Sequence, residues 1–321
     1  MADEIDRTTT RPLLTVRLAS PRGFCAGVER AVRTVEDALA QYGAPIFVRH
    51  EIVHNAHVVR RLESMGAVFV EDLTRVPSGA PVIFSAHGAP QSAYAEAERL
   101  DLKTIDATCP LVSKVHNEVR RHLILGRHVV LVGHRGHPEV IGTMGQAPEG
   151  AVSLIETLAD AAAFAPPEAP LAYVTQTTLS VDDTAEIVAL LTRRFPAIAG
   201  PRKSDICYAT TNRQDAVKKI APGADMVLVV GSPASSNSNR LVDTALKSGA
   251  RAAMLVESPA AFDVGQIGPG ATIGVTSGAS APEDLVETLL ARLAETFRLR
   301  IETIDHVRED VVFKQPLMLA S

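Results

Sequence analysis

The stretch Ser20-Pro21-Arg22-Gly23-Phe24-Cys25-Ala26-Gly27-Val28-Glu29-Arg30 sets a cysteine on a strand-to-helix turn. An apolar run at residues 13–18 leads into it, and a helical pattern of Val28, Ala31, Val32, Val35 and Ala38 leads out. Pro21 and Gly23 punctuate the turn. The thiol falls at the start of a helix, where unsatisfied N–H groups and the helix dipole favour an anionic sulfur, a good metal ligand or nucleophile. A small buried core cysteine is the plain alternative for this stretch by itself.

The other two cysteines sit in the same setting. Thr104-Ile105-Asp106-Ala107-Thr108-Cys109-Pro110 ends a short strand and opens a helix, with Pro110 at a favoured first helical position. Asp205-Ile206-Cys207-Tyr208 precedes another helical stretch at 209–220. Basic residues follow at Arg30, Lys114 and Arg213, which are five, five and six positions after their cysteines. Three thiols on three such turns read as one unit used three times.

Between the helical stretches lie short, nearly continuous apolar runs at 44–48, 82–84, 129–132 and 226–230, which suit parallel strands covered on both faces. Each is followed by a polar cluster. From each cysteine to the first such cluster the interval is 54−25 = 29, 137−109 = 28 and 235−207 = 28 residues. The second clusters, at His87, Thr177 and Ser280, come 62, 68 and 73 residues after the cysteines. Near-equal first intervals argue for a threefold repeat of βαβαβ type, and the drift in the second is what loop insertions produce. The expected fold is therefore α/β, with three similar domains carrying small parallel sheets in a pseudo-threefold, trefoil arrangement. The expected boundaries are a disordered tail at 1–12, domains at 13–108, 109–206 and 207–300, and a C-terminal segment at 301–321 that lies back on the body. In open parallel sheets ligands bind beyond the carboxyl ends of the strands, so the polar turns are the expected site.

The chain's 321 residues, 46% of them hydrophobic, are enough for two or three domains with substantial cores. A net charge of −5 gives no electrostatic case for nucleic acid or an anionic membrane surface, so an anionic ligand needs a local positive site. Three cysteines, an odd number and widely spaced, do not make a secreted disulfide framework. The N-terminal residues are acidic and lack the apolar core of a signal peptide, and no apolar run approaches the ~18 residues of a membrane span. A cytoplasmic location is expected.

Three thiolates from three domains could hold zinc, could hold an iron–sulfur cluster, or could be unrelated core residues. Structural zinc usually draws on close Cys-x2-Cys pairs, and none is present. A four-iron cluster normally takes four cysteines, so three leave one iron open as a Lewis acid. The turns then read as a cavity for an oxygen-rich anion, with His54, His87 and His137 singled out of ten histidines by their place after strands. Glu139, two residues beyond His137, is the candidate proton donor, with a solvated turn residue as the alternative. Asp182 and Asp183 follow Ser180 as in a helix cap, and Ser238 and Asn239 are read as possible caps of the next helix. No complete Rossmann or P-loop fingerprint is present.

Taken together, the motifs around Cys25, Arg49-His50-Glu51-Ile52-Val53-His54-Asn55, Ser85-Ala86-His87-Gly88, Asp106-Ala107-Thr108-Cys109-Pro110, Gly136-His137-Pro138-Glu139, Thr175-Gln176-Thr177-Thr178-Leu179-Ser180, the segment from Cys207 to Gln214 and Ser235-Ser236-Asn237-Ser238-Asn239 resemble the 4-hydroxy-3-methylbut-2-enyl diphosphate reductases, the last enzymes of the methylerythritol phosphate route to isoprenoids. The resemblance covers about residues 14–313, in order. It implies a trefoil around one central 4Fe-4S cluster held by Cys25, Cys109 and Cys207. It implies that His54, His87, His137, Ser235, Ser236, Asn237 and Ser280 bind the substrate, chiefly its diphosphate, with Thr177 near the substrate hydroxyl and Glu139 delivering protons. The implied reaction is reductive dehydroxylation to isopentenyl and dimethylallyl diphosphate. In it an open iron binds the substrate hydroxyl, and two electrons arrive from reduced ferredoxin or flavodoxin. Two other readings remain at this point: a non-redox iron–sulfur lyase or dehydratase, and a non-catalytic iron–sulfur phospholigand sensor.

Overall fold

The structure, a computed structural model, describes residues 11–317. The first third forms β1 (Leu13–Ser20), α1 (Ala26–Tyr42), β2 (Ile46–Arg49), α2 (Ala56–Ser64), β3 (Ala67–Val70), β4 (Pro81–Phe84), α3 (Gln91–Arg99) and β5 (Lys103–Asp106). The middle forms α4 (Pro110–Ile124), β6 (His128–Val132), α5 (Pro138–Met144), β7 (Val152–Ile155), α6 (Leu158–Ala163), β8 (Leu171–Thr175) and α7 (Val181–Arg194). The last third forms α8 (Tyr208–Ile220), β9 (Met226–Val230), α9 (Ser236–Lys247), β10 (Ala253–Val256), β11 (Thr272–Ser277), α10 (Glu283–Ala294) and β12 (Arg298–Asp305).

Alternation along the central strands explains the layers. On β9, Val227 and Val229 face Val217, Ile220 and Leu241 of α8 and α9, whereas Leu228 and Val230 face the core that includes Leu289 and Leu293 of α10. On β6, Val129 and Leu131 meet Val115 and Val119 of α4, while Val130 and Val132 meet Ile187 and Leu191 of α7. A strand covered on both faces needs no polar residue in its middle, which is why these runs are continuously apolar. Each fully buried Val or Leu contributes about 1.5–3 kcal/mol relative to exposure. The helices are written to match, α1 burying Ala31, Val32, Val35 and Ala38 along one stripe.

The strands make three sheets, in the orders β3-β2-β4-β5, β7-β6-β8 and β10-β9-β11-β1-β12, with every pairing between these strands parallel. The expected α/β fold of small parallel sheets is what forms, and the same order occurs three times. The earliest strand of each trio (β2, β6 or β9) is central, with the next on one side and the third on the other. A further segment then adds beside the third strand: β5 beside β4, the Ala199 bridge beside Ala172 of β8, and β1 beside β11. Those added segments lead to Cys109, Cys207 and Cys25 respectively.

One boundary differs from the sequence-based division. Residues 13–25, counted there with 26–108, belong to the sheet of the last third, because β1 pairs with β11 on one side (Val16↔Ile273) and β12 on the other (Val16↔Ile301). Leu14, Val16 and Leu18 complete the core beneath α10. The described chain accordingly divides into two compact units, 11–25 with 208–310 and 26–207 with 311–317. The closing segment expected at 301–321 begins inside β12, whose residues 298–300 come from the expected third domain. In the second unit, Lys314 and Gln315 lie along α1: the Lys314 carbonyl accepts from Arg30 Nε at 2.7 Å and Gln315 Oε1 accepts from Thr34 Oγ1 at 3.2 Å. Residues 1–10 of the expected tail lie outside the described residues, and the Pro12 carbonyl is tied to Arg298 N at 2.9 Å. No helix among the described residues is long and apolar enough to cross a membrane.

Candidate active site

In each sheet the two strands whose connections leave in opposite directions are β2 and β4, β6 and β8, and β9 and β11. Backbone N–H groups and loops diverge at the carboxyl ends of such a pair and leave a crevice. The turns there carry His54 after β2, His87 after β4, His137 and Glu139 after β6, Thr177 after β8, Ser235, Ser236 and Asn237 after β9, and Ser280 after β11. Every residue expected to touch substrate therefore follows one of these six strands.

In the unit of residues 26–207 the three histidines come together. The rings of His54 and His87 stack with centroids 4.1 Å apart, and His137 meets them edge-on at 5.5 and 6.0 Å. Each ring has a local anchor. His54 Nδ1 faces Glu51 Oε2 at 3.1 Å, and His87 Nδ1 lies 3.4 Å from Ser85 Oγ. His137 caps α5, its Nδ1 accepting the Glu139 N–H at 3.2 Å, which leaves the proton of the neutral ring on Nε2. Burial holds His137 down at about 4, with His54 and His134 pushing the same way. His87 keeps a partly exposed edge, yet desolvation among its neighbours pulls it well below the usual imidazole value, helped by His54, His137 and His50. Gly88 is required behind this cluster: its φ is +77°, and a Cβ there would come within 2.6 Å of the His116 ring.

Glu139 is 2% exposed, and its carboxylate is fully engaged by one residue. Oε1 accepts the Thr177 N–H at 2.6 Å and Oε2 the Thr177 hydroxyl at 3.0 Å. Burial pushes the carboxyl up to about 7, against the lowering effect of the two Thr177 bonds and with Asp205 adding to the rise. An acid so placed is half protonated near neutrality, the condition in which a group both gives and regains protons readily. When Glu139 holds its proton on Oε2 it donates to Thr177 Oγ1, which frees the threonine O–H to donate onward.

The other unit holds the hydroxyl and amide donors. Ser235 caps α9, its Oγ accepting from Ser238 N at 3.3 Å and Ser238 Oγ at 3.1 Å, with Ser280 Oγ 3.5 Å away. Ser238 and Asn239, read from sequence as caps, lie instead inside the first turn. Asn237 is oriented at both ends, Oδ1 accepting from Ala279 N at 3.0 Å and Nδ2 donating to Thr210 Oγ1 at 3.3 Å. Gly278 admits this arrangement, since a Cβ would meet Ser238 Oγ at 2.1 Å.

The three cysteines form no disulfide and are partly exposed, and each is hung by its own N–H on the second polar turn of the sheet that delivers it. Cys25 N donates to Ala279 O (3.2 Å), beside Ser280; Cys109 N to Ala86 O (3.0 Å), beside His87; and Cys207 N to Thr177 O (3.0 Å). Among the described residues no three His, Cys, Asp or Glu side chains converge on a single metal ion. A four-iron cluster makes a different demand, one thiolate for each of separate irons. Three thiols at helix starts, each fixed by backbone to a turn that carries a proposed ligand-binding residue, fit that donor set.

Two partners escaped the sequence reading. Glu51, which holds His54, is visible in hindsight as an acidic residue three positions before a histidine. Asp205, raised by burial and held down by its bond to Lys114, is joined to β8 through Thr175 N at 3.0 Å and had no local signal.

Comparison with known proteins supplies the family. Residues 16–294 match the LytB protein family. A protein of Hyphomonas neptunium named 4-hydroxy-3-methylbut-2-enyl diphosphate reductase is 59% identical over 97% of this chain and 99% of its own length. A protein of the same name from Phenylobacterium zucineum is 60% identical over the same shares. Among solved structures, the E-1-hydroxy-2-methyl-but-2-enyl-4-diphosphate reductase of Plasmodium falciparum superposes with a TM-score of 0.88 at 39% identity, covering 95% of this chain and 96% of that one. With matches of this length and identity joined to a fold of the same class, the chain belongs to the LytB protein family, whose curated relatives carry the 4-hydroxy-3-methylbut-2-enyl diphosphate reductase name.

Proposed function

We propose that the chain catalyses the reductive dehydroxylation of (E)-4-hydroxy-3-methylbut-2-enyl diphosphate to isopentenyl and dimethylallyl diphosphate in the cytoplasm, with a 4Fe-4S cluster on Cys25, Cys109 and Cys207 and reduced ferredoxin or flavodoxin as electron donor. The reaction consumes two electrons and two protons: one proton leaves with the hydroxyl as water and one adds to carbon. The cluster, when bound, would supply the electrons one at a time and a Lewis-acidic iron. The observation that carries the reading is the Glu139–Thr177 pair, a buried acid titrating at about 7 that is wired to a hydroxyl. Glu139 holds the proton, and Thr177 Oγ1 passes it to the departing oxygen.

The remaining residues bind. Neutral His137 still offers an N–H from Nε2, and the Ser235, Ser236, Ser280 and Asn237 groups offer hydroxyl and amide donors suited to diphosphate oxygens. Their fixed backbone and side-chain partners mean that little ordering remains to be done on binding. Under strict anaerobiosis, cluster-loaded protein with a chemical reductant and the hydroxymethylbutenyl diphosphate should release both five-carbon products; a loaded, reduced protein that binds the diphosphate and releases neither would overturn the proposal.

Binding should also take up protons. In the free protein His87 is neutral at pH 7 and Glu139 only half protonated, and an arriving polyanion raises the proton affinity of both. More protons bound in the complex means that affinity falls as pH rises from 6 to 8, by up to about tenfold per unit for each proton taken up. Calorimetry in buffers of different ionisation enthalpy measures the uptake directly, and zero uptake at pH 7 contradicts this assignment of charge.

A further inference from the structure

The three basic residues that follow the cysteines do the same thing three times. Arg30, on α1, donates through Nη1 to the carbonyls of Ala107 (3.2 Å) and Thr108 (3.0 Å), the two residues ahead of Cys109. Lys114, on α4, donates through Nζ to the carbonyls of Lys203 (2.7 Å) and Ser204 (3.0 Å) and to Asp205 Oδ1 (2.9 Å), ahead of Cys207. Arg213, on α8, donates to the carbonyl of Gly23 from Nη2 (2.8 Å) and Nε (3.2 Å), and to that of Phe24 (3.4 Å), ahead of Cys25. In sequence the pattern is cyclic: the helix after one cysteine carries the cation that grips the backbone before the next. Each bond lies within a single unit of the fold.

Capping of loose carbonyls does not account for the choice of residue. A neutral amide or hydroxyl would satisfy a carbonyl without the cost of taking a cation out of water. Among the described residues Arg30 donates to three carbonyls and to no carboxylate, and Arg213 is completely buried. Desolvation draws the Arg30 guanidinium below its ordinary value, while Cys109, and then Asp106, pull the other way. Lys114 already faces the Asp205 carboxylate and Arg213 that of Glu309, so among the described residues Arg30 is the one of the three with no carboxylate to neutralise it, and Cys109 is the anion that pulls on it most.

We propose that Arg30, Lys114 and Arg213 are positioning residues for the iron–sulfur cluster, each clamping the backbone that delivers one of its cysteine ligands, with Arg30, which has no carboxylate partner among the described residues, also holding a fixed positive charge on the Cys109 side. This rests on the cluster assignment in the proposed function. Fixed charge near a cluster sets its potential, and the clamp sets how readily a cysteine arm swings away.

The test uses the full chain, reconstituted anaerobically with iron and sulfide, and reads iron retention against a chelator together with the reduced fraction at a fixed solution potential. R30M is expected to lose iron about tenfold faster and to show an about tenfold lower ratio of reduced to oxidised cluster, equivalent to about 59 mV for a one-electron couple. R30K, which keeps the charge without the fork, should restore that ratio to within about threefold but not the retention. K114M repeats the retention test at Cys207, where Lys114 is already paired with Asp205, should R30M fail to fold. Arg33, on the same helix with its side chain 66% exposed, is the control, and R33M should change neither reading. A merely structural role would lower thermal stability and leave the potential of the remaining cluster alone. Wild-type retention in R30M and K114M, wild-type potential in R30M, or an equal shift in R33M would overturn the inference; a wild-type chain that takes up no iron and sulfide would overturn the cluster assignment and this inference with it.

Discussion

Replacing Glu139 with glutamine is expected to lower product formation by about 10²–10⁴, while diphosphate affinity stays within about threefold. The substitution is close to isosteric and keeps both contacts. The amide oxygen accepts the Thr177 N–H, and the amide nitrogen donates to Thr177 Oγ1, which reverses its hydroxyl to donate onward. What is lost is the proton that can leave. In the wild type, activity should fall as pH rises through about 7, since the acid form does the work and burial has placed its titration there. That limb should vanish from the residual activity of E139Q. A variant that retained wild-type turnover would remove Glu139 from the proton path.

The same substitution carries its own control against misfolding. The folded carboxyl titrates at about 7 and the unfolded one near 4.5. Between those values the native state binds the proton more tightly, so stability falls as pH rises through the window and levels off above it, by on the order of 3 kcal/mol. Glutamine does not titrate. E139Q should therefore melt at or above the wild-type temperature at pH 8, and inactivity together with equal or greater stability cannot be blamed on unfolding.

Much of this site could be read before any coordinates, for a physical reason: a parallel strand buried on both faces is a run of apolar residues, and the polar turn that ends it stands out by contrast. His54, His87, His137 and Thr177 were visible on that ground, as was the triple cysteine setting. Strand order was not, because nothing local to residues 13–18 states that β1 will lie between β11 and β12, some 250 positions downstream. The start of α9 failed differently. Ser235, Ser236, Asn237, Ser238 and Asn239 are all good capping residues, so local preference cannot choose among them. In the fold Ser235 takes the cap by accepting from Ser238 N, and Ser238 packs against Gly231 and Gly278, a setting that no local preference states. The spacing of Arg30, Lys114 and Arg213 was equally plain in the sequence, but what they grip lies about 80–190 residues away and had to be seen.

Truncating Glu309 to alanine is expected to destabilise the chain by about 3–5 kcal/mol, because it strands a fully buried cation. Arg213 has no exposure at all, and its guanidinium meets Glu309 through Nη1–Oε1 at 3.0 Å and further contacts at 3.3 Å. Asn212 Nδ2 adds a bond to the same carboxylate at 2.9 Å. With Glu309 gone, the remaining partners are the carbonyls of Gly23, Phe24 and Ala209, which offer dipoles but no neutralising charge. For a chain of this size the loss should appear as a fall in melting temperature of about 5–7 °C. Glu309→Gln, which keeps an acceptor but not the charge, should fall between. Glu309 lies beyond β12 in a stretch with no helix or strand, where the sequence offered no reason to expect a stabilising role. The pairing supplies one: the backbone ahead of Cys25 is held by Arg213, and Arg213 can be held in the core only while this late carboxylate faces it. If the melting temperature of Glu309→Ala lies within about 2 °C of wild type, the buried guanidinium finds another counter-charge and the closing segment loses this role.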